Sequence, residues 1–216
     1  MHHPPPGMMR GLAALVTAAG LVACTAGSNT TAAPGASSSR PSSAAATTAT
    51  TAPSTPPQAL PENCGALVPV TDLDAALGVG LPGSVSYVRG EPLPDIGRTG
   101  RITCGYGVAI GPQGKAAPPL LEISVSTYTD EAAAAARIDL TSADRQAAGD
   151  RVEATEVQTL PAVVLIGVTQ TTLVLADSTR TYSLTLLAAV LPANQTSAGL
   201  SSVAGAVLDR AAAPSG

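Results

Sequence analysis

Apolar and polar residues alternate in two stretches of the chain, and this period of two is typical of β-strands with one buried face. Around Ile123, leucine, isoleucine and valine alternate with glutamate and serine, and around Leu184 the apolar residues alternate with threonine and serine. A continuously apolar run at 162–168 predicts a central strand. Weaker strand candidates lie at 85–88, 102–110, 152–159 and 171–175.

Three other segments have the features of helices. The last, at 197–212, has helically spaced apolar residues at Leu200, Val203, Ala204, Val207 and Leu208. The segment at 130–148 ends before Gly149, and its predicted buried stripe consists of Ala133, Ala136, Leu140, Ala143 and Ala147. A short helix is predicted between Thr71, as its N-cap with Asp74 three residues later, and Gly78, as its C-terminal stop.

The order of these elements predicts the fold class. A helix, about three strands, a second helix, about four strands and a third helix follow one another, and this order is typical of the α+β class. We therefore predict an antiparallel sheet that packs against the two main helices on one face, in a domain at 60–213. The order also suggests that the domain consists of two diverged helix-plus-strands halves.

The segment at 1–23 has the features of a lipoprotein signal peptide. Arg10 precedes an apolar stretch at 11–20, which is too short to span a bilayer. The sequence Leu-Val-Ala-Cys that follows at 21–24 resembles the lipobox of bacterial lipoproteins. This resemblance implies that cleavage follows Ala23 and that the thiol of Cys24 takes the lipid. An ordinary secretory signal with an incidental cysteine is the alternative interpretation.

The segment at 24–59 consists mostly of alanine, serine, threonine and proline. Such a composition lacks the apolar bulk that would offset the entropy of ordering, so we predict a disordered tether that holds the folded domain away from the membrane. The sequence leaves open whether this tether carries O-linked sugars. It also leaves open whether translation starts at Met1 or at Met8.

Cys64 and Cys104 are the two cysteines of the predicted folded domain. An even pair of cysteines in an exported domain is typically a disulfide, which is the interpretation we favour. A metal site is the competing interpretation, but two thiolates need further ligands, and both histidines, His2 and His3, lie in the predicted signal peptide. We therefore predict a disulfide, no metal site and no cofactor.

Charge and composition narrow the classes of partner. The chain carries 15 acidic and 11 basic residues, whereas nucleic-acid-binding proteins normally present a clustered basic face. Phenylalanine and tryptophan are absent, so we predict a core of aliphatic side chains. The expected partner is the membrane, through the lipid on Cys24, and nucleic acid is not expected to bind.

Three short motifs carry a family resemblance: Asn-Cys-Gly-Ala-Leu-Val-Pro-Val-Thr at 63–71, Leu-Gly at 77–78 and Cys-Gly-Tyr at 104–106. They resemble a large group of uncharacterised actinobacterial, especially mycobacterial, lipoproteins. The resemblance covers about residues 62–212. It implies the lipoprotein class and the disulfide. It implies no catalytic residue, because the group has no assigned activity. The lipid anchor predicts a location on the outer face of the cell membrane.

The sequence predicts no catalytic site. Ser-His-Asp and Cys-His arrangements need a histidine, which the predicted mature chain lacks. Ser-Lys chemistry would need Lys115, the only lysine, which lies in a loop rich in glycine and proline. No spacing of carboxylates indicates a glycosidase-like pair, and the sequence leaves this possibility open.

Two non-catalytic functions follow from these observations. We predict an anchored cell-envelope lipoprotein that binds a lipid, a glycolipid or another apolar ligand in a cavity between the sheet and the helices at 130–148 and 197–212. The alternative is a structural lipoprotein that docks onto an envelope protein through an exposed apolar patch.

Overall fold

The computed structural model describes residues 59–213. In chain order its elements are α1 (Cys64–Leu67), α2 (Val70–Leu77), β1 (Ser84–Gly90), a 3-10 helix (Pro94–Ile96), β2 (Arg98–Val108), β3 (Leu121–Tyr128), α3 (Glu131–Ala147), β4 (Arg151–Val157), β5 (Leu160–Ile166), β6 (Gln170–Asp177), β7 (Arg180–Leu187) and α4 (Ala193–Ala212). The predicted signal peptide, the predicted lipidation site Cys24 and all of the predicted tether except Ala59 lie outside the described residues.

All seven strands belong to one antiparallel sheet in the order β1-β2-β3-β7-β6-β5-β4. This confirms the predicted α+β class with an antiparallel sheet. The prediction that the run at 162–168 is a central strand is wrong, because it belongs to β5, which lies second from an edge. The strand ends at Ile166, and Val168 is 96% exposed. β5 is almost continuously apolar because α3 packs on one of its faces and its other face belongs to the main core cluster.

The strands form two meanders that meet in the middle of the sheet. The first meander is β1–β3 and the second is β4–β7, and α3 carries the chain from β3 to the far edge. Pairing between β3 and β7 joins the meanders and places Ile123 opposite Leu184. The order of elements follows the predicted helix-plus-strands halves, and a common origin of these halves stays a prediction.

The main core lies on one face of the sheet, which we call the α4 face. Ile123, Leu173 and Leu184 are fully buried there and belong to one cluster with residues of α1, α2 and α4. The apolar stripe predicted for the last helix is confirmed, since every member is buried: Leu200, Val203, Ala204, Val207 and Leu208. Helical spacing identified this stripe because its side chains are larger than those around them.

α3 packs on the opposite face, which we call the α3 face. Its side chains meet Ser124 and Ser183, whose neighbours along the strands point to the α4 face. The prediction that both main helices cover one face is therefore wrong. The physical reason lies in the second meander, where β5 carries apolar residues on both faces. Leu165, for example, lies on the α3 face and is fully buried.

α3 has the predicted boundaries but a different buried stripe. The carboxylate of Asp130 caps its first turn by accepting a hydrogen bond of 2.8 Å from the amide of Ala133, and this bond lowers the pKa of the carboxyl. Ala134 is buried, whereas Ala136 is exposed and Leu140 is 50% exposed. Five consecutive alanines near the start of the helix prevent the sequence pattern from distinguishing its faces.

α2 ends as predicted but begins differently. Gly78 follows the helix in the left-handed conformation, with φ of 69°, and its amide donates a hydrogen bond of 2.9 Å to the carbonyl oxygen of Asp74. The prediction that Thr71 is the N-cap is wrong, because the helix begins at Val70 and Pro69 is the N-cap residue. Proline holds φ close to the helical value, so the chain enters the helix without a side-chain cap.

The predicted disulfide between Cys64 and Cys104 is confirmed, with the two Cα atoms 5.6 Å apart. It joins α1 to β2, and both cysteines are buried. The hydroxyl of Tyr106 supports the same junction, since it lies 3.1 Å from the carbonyl oxygens of Cys64 and Val68 and can donate to either. Burial raises the pKa of Tyr106, so the phenol keeps the proton that it donates.

Candidate functional site

A cleft of about 630 Å³ lies where β7 begins and α4 ends. Residues 59–62, α1 and the end of α4 provide its walls. Arg180, the first residue of β7, lines it from the α4 face of the sheet. We call this space the Arg180 cleft.

The walls of the Arg180 cleft combine apolar side chains with the charged residues Glu62 and Arg210. Leu60, Leu67 and Val207 line it together with three consecutive alanines at 211–213. Larger side chains at those last positions would fill the space, because protein interiors pack closely wherever side chains reach one another. The alanines at the end of α4 therefore leave the room that a ligand needs.

The guanidinium of Arg180 is buried beside this cleft and forms no ion pair within the described part of the chain. The residue is 6% exposed, and Nη2 donates a hydrogen bond of 2.6 Å to the carbonyl oxygen of Ala59. Among residues 59–213, Nε has no hydrogen-bond partner and no carboxylate forms an ion pair with the guanidinium. Even Asp177, its cross-strand neighbour, forms none. A buried charge without a partner is costly, so the site is suited to an anion from outside.

Tyr182 lies two residues along β7, on the same face as Arg180, and is a second buried polar group. Its hydroxyl has no hydrogen-bond partner in the described part of the chain. Burial raises the pKa of Tyr182, and the nearby guanidinium of Arg180 lowers it by a smaller amount. Most buried polar atoms in proteins have a partner, so Nε of Arg180 and the hydroxyl oxygen of Tyr182 are two exceptions at this end of β7.

Two arginines hold the segment before α1 against the sheet. Arg89 of β1 donates hydrogen bonds of 3.0 and 2.7 Å to the carbonyl oxygens of Pro61 and Glu62. Arg180 holds Ala59 in the same way. Hydrogen bonds from charged donors are stronger than neutral ones, so the bonds to Ala59, Pro61 and Glu62 hold this wall of the cleft in place.

Several other charged groups within residues 59–213 occupy structural or surface positions. Asp72 forms an ion pair of 2.8 Å with Arg210 at the rim of the cleft, Asp130 caps α3, and Glu122 lies half-buried on the α3 face. Lys115 is exposed between β2 and β3. Among residues 59–213, no cluster of histidine, cysteine, aspartate and glutamate is arranged to hold a metal ion. In the same range, no helix has the length and apolarity to cross a membrane.

The predicted cavity between the sheet and both main helices is not formed, because α3 and α4 lie on opposite faces. Ala204 of α4 is buried in the core, whereas Ala136 of α3 is exposed. Sequence reasoning also missed Arg180, since a single arginine after a Ser-Thr turn is typically solvated. Its position in the alternation of β7, on the face of Tyr182 and Leu184, is the signal that could have identified it.

Comparisons with known proteins give one distant likeness. No protein-family model matches the chain, and no curated protein matches it significantly. Among solved structures, the chain is similar to the crystal structure of the extracellular domain of PknH from Mycobacterium tuberculosis, with 15% identity and a TM-score of 0.40. The match covers 71% of this chain and 97% of that one. The likeness is too distant to assign a function, and the resemblance to actinobacterial lipoproteins stays a prediction.

Proposed function

We propose that this protein is a lipoprotein on the outer face of the cell membrane that binds an anionic lipid in the Arg180 cleft, without catalysing a reaction. The observation that carries the proposal is the buried guanidinium of Arg180, which lacks an ion-pair partner among residues 59–213 and lines a cleft with apolar side chains. A ligand with an anionic head and an acyl chain matches both properties.

The energetics favour such an amphiphile over a purely apolar ligand. An apolar molecule would leave the guanidinium desolvated and unpaired, whereas a carboxylate or phosphate would accept charge-assisted hydrogen bonds from it. An acyl chain would bury apolar surface against Leu60, Leu67 and Val207. The volume of about 630 Å³ is within the range of known ligand pockets.

Replacing Arg180 with glutamine is expected to weaken retention of an anionic lipid. The full-length protein would be purified from its own host and examined by native mass spectrometry. We expect the parent to carry a lipid with a carboxylate or phosphate head, and the variant to bind it about 10- to 100-fold more weakly because a charged hydrogen-bond donor is lost. Arg151→Gln, which removes the same charge from an exposed ion pair on β4, is the matched control.

A second variant separates loss of the ligand from loss of the fold. Ala211→Leu adds volume to the cleft without changing Arg180, so it should also release the lipid while thermal unfolding stays close to that of the parent. The proposal is wrong if the parent carries no anionic lipid, or if Arg180→Gln and Arg151→Gln retain equal amounts.

Replacing Cys24 with alanine is expected to abolish lipid modification, because the proposed acyl acceptor is its thiol. Metabolic labelling with an alkyne-bearing fatty acid would measure the modification, and membrane fractionation would measure the anchoring. Thr25→Ala, at the next residue, should be labelled like the parent. Continued acyl labelling of Cys24→Ala would contradict the proposed anchor.

Exposed apolar side chains on β1 favour a second candidate function, docking onto an envelope protein. β1 is an edge strand on which Tyr87 and Val88 are exposed, and it has no charged residue before Arg89. The opposite edge, β4, carries charges at Arg151, Glu153 and Glu156, which hinder the addition of a further strand. An extended segment of a partner protein could therefore pair with β1. A parent protein that carries no lipid would favour this second function.

A further inference from the structure

A second pocket, on the α3 face of the sheet, concentrates positive charge. It has a volume of about 180 Å³ and lies between α3 and strands β2, β3 and β7. Arg98, Arg101 and Arg137 line it, and Glu122 is the one carboxylate among its lining residues. We call it the Arg101 pocket. The three guanidinium groups outnumber the one carboxylate, so the lining has an excess of positive charge. Like charges that share a site repel one another, and a bound anion would relieve this repulsion.

Hydroxyl groups form the floor of the Arg101 pocket. Strand register places Arg101 beside Ser126 and Ser126 beside Thr181, in a row across three strands. Ser126 and Thr181 are buried and line the pocket. This row exists only because β3 of the first meander pairs with β7 of the second. The floor therefore presents hydrogen-bonding groups beside the arginine side chains.

The three guanidinium groups retain unused donors. Nε of Arg101 donates a hydrogen bond of 2.9 Å to Oγ1 of Thr103, which orients the side chain and leaves its terminal nitrogens free of other bonds in the described structure. Nη2 of Arg98 donates to the carbonyl oxygen of Glu91 at 3.0 Å, while its buried Nε has no partner among the described residues. None of the three, Arg137 included, forms an ion pair within residues 59–213.

We propose that the Arg101 pocket binds a phosphomonoester. A phosphate group carries about two negative charges near neutral pH and offers several strong acceptor oxygens, which match guanidinium forks and hydroxyl donors. The pocket is less than a third of the volume of the Arg180 cleft, so it suits a compact polar group rather than an acyl chain. The two sites lie on opposite faces of the sheet, and this inference goes beyond the lipid-binding function.

Binding of phosphomonoesters can be measured with the full-length protein by thermal unfolding and calorimetry. The probes are inorganic phosphate, glycerol 3-phosphate, and phosphatidylcholine vesicles with and without phosphatidic acid. Saturation by the soluble phosphates would identify a free phosphate or phosphorylated metabolite as the source. Binding only to vesicles that contain phosphatidic acid would identify a lipid headgroup. Either outcome supports the site if the measured binding depends on Arg101.

Two variants make that dependence testable. Arg101→Gln should weaken binding about tenfold or more, because it removes a charged donor, and Glu122→Gln should strengthen it several-fold, because it removes the carboxylate from the lining. Glu122→Gln keeps the test valid if Arg101→Gln fails to fold. Arg151→Gln, which removes the same charge from an exposed ion pair on β4, should bind like the parent. The proposal is overturned if no phosphate probe binds, or if neither Arg101→Gln nor Glu122→Gln changes the affinity.

Discussion

Replacing Cys64 and Cys104 together with alanine should lower the free energy of unfolding by about 3–4 kcal/mol. The disulfide links residues 40 positions apart, so it removes many conformations from the unfolded chain. It also attaches α1 to β2, and α1 provides part of the wall of the Arg180 cleft. We therefore expect the same double variant to lose lipid as its first helix detaches.

Denaturant unfolding of the parent and the double variant would measure this effect. The parent treated with a reductant is the matched control, and its midpoint should approach that of the variant. Alkylation of the untreated parent should find neither Cys64 nor Cys104 as a free thiol. A loss below about 1 kcal/mol would show that the unfolded chain is not restricted by this bond in the expected way.

Leu184→Ala should cost about 2–5 kcal/mol of stability, the range for a leucine in a closely packed core. Leu184 is fully buried at the middle of the central strand. Ile123 and Leu173 lie opposite it on the neighbouring strands, and α4 packs on the same face. These elements are fixed by hydrogen bonds and cannot easily collapse into the space of the lost side chain.

Leu140→Ala is the matched control, since it deletes the same atoms from a different environment. Leu140 is 50% exposed on α3, so its truncation should change the free energy of unfolding by less than about 1 kcal/mol. Urea or guanidinium unfolding of both variants gives the comparison. Equal losses would contradict the placement of Leu140 on the outer side of α3.

Sequence reasoning identified the elements whose side chains differ strongly in size or polarity. The stripe that includes Leu200 and Val207 was predictable because the helical period contrasts large and small residues. The disulfide was predictable because the predicted domain has two cysteines and an exported protein can keep them oxidised. The stripe of α3 was not, because consecutive alanines give no contrast between one face of the helix and the next.

The Arg180 cleft and the Arg101 pocket could not be predicted from the sequence, because both depend on tertiary pairing that local sequence patterns do not contain. The base of the Arg180 cleft requires β7 to begin beside the segment before α1, so Arg180 lies close to Ala59 only in the folded chain. The Arg101 pocket requires β3 and β7 to be neighbours, although α3 and three strands separate them in sequence. The sequence also did not show that helices cover both faces of the sheet. The apolar run of β5 fits a buried strand at several positions in a sheet.

The division into two meanders has a consequence for the kinetics of folding. Within each meander, strands that are consecutive in the chain pair with one another, as in the hairpin that places Val157 opposite Leu160. Such local contacts close short loops and form early, whereas pairing of β3 with β7 must close a long loop that contains α3 and most of the second meander. We expect this pairing to limit the folding rate. Until it forms, each meander exposes one additional unpaired edge, the surface through which partly folded β-proteins associate.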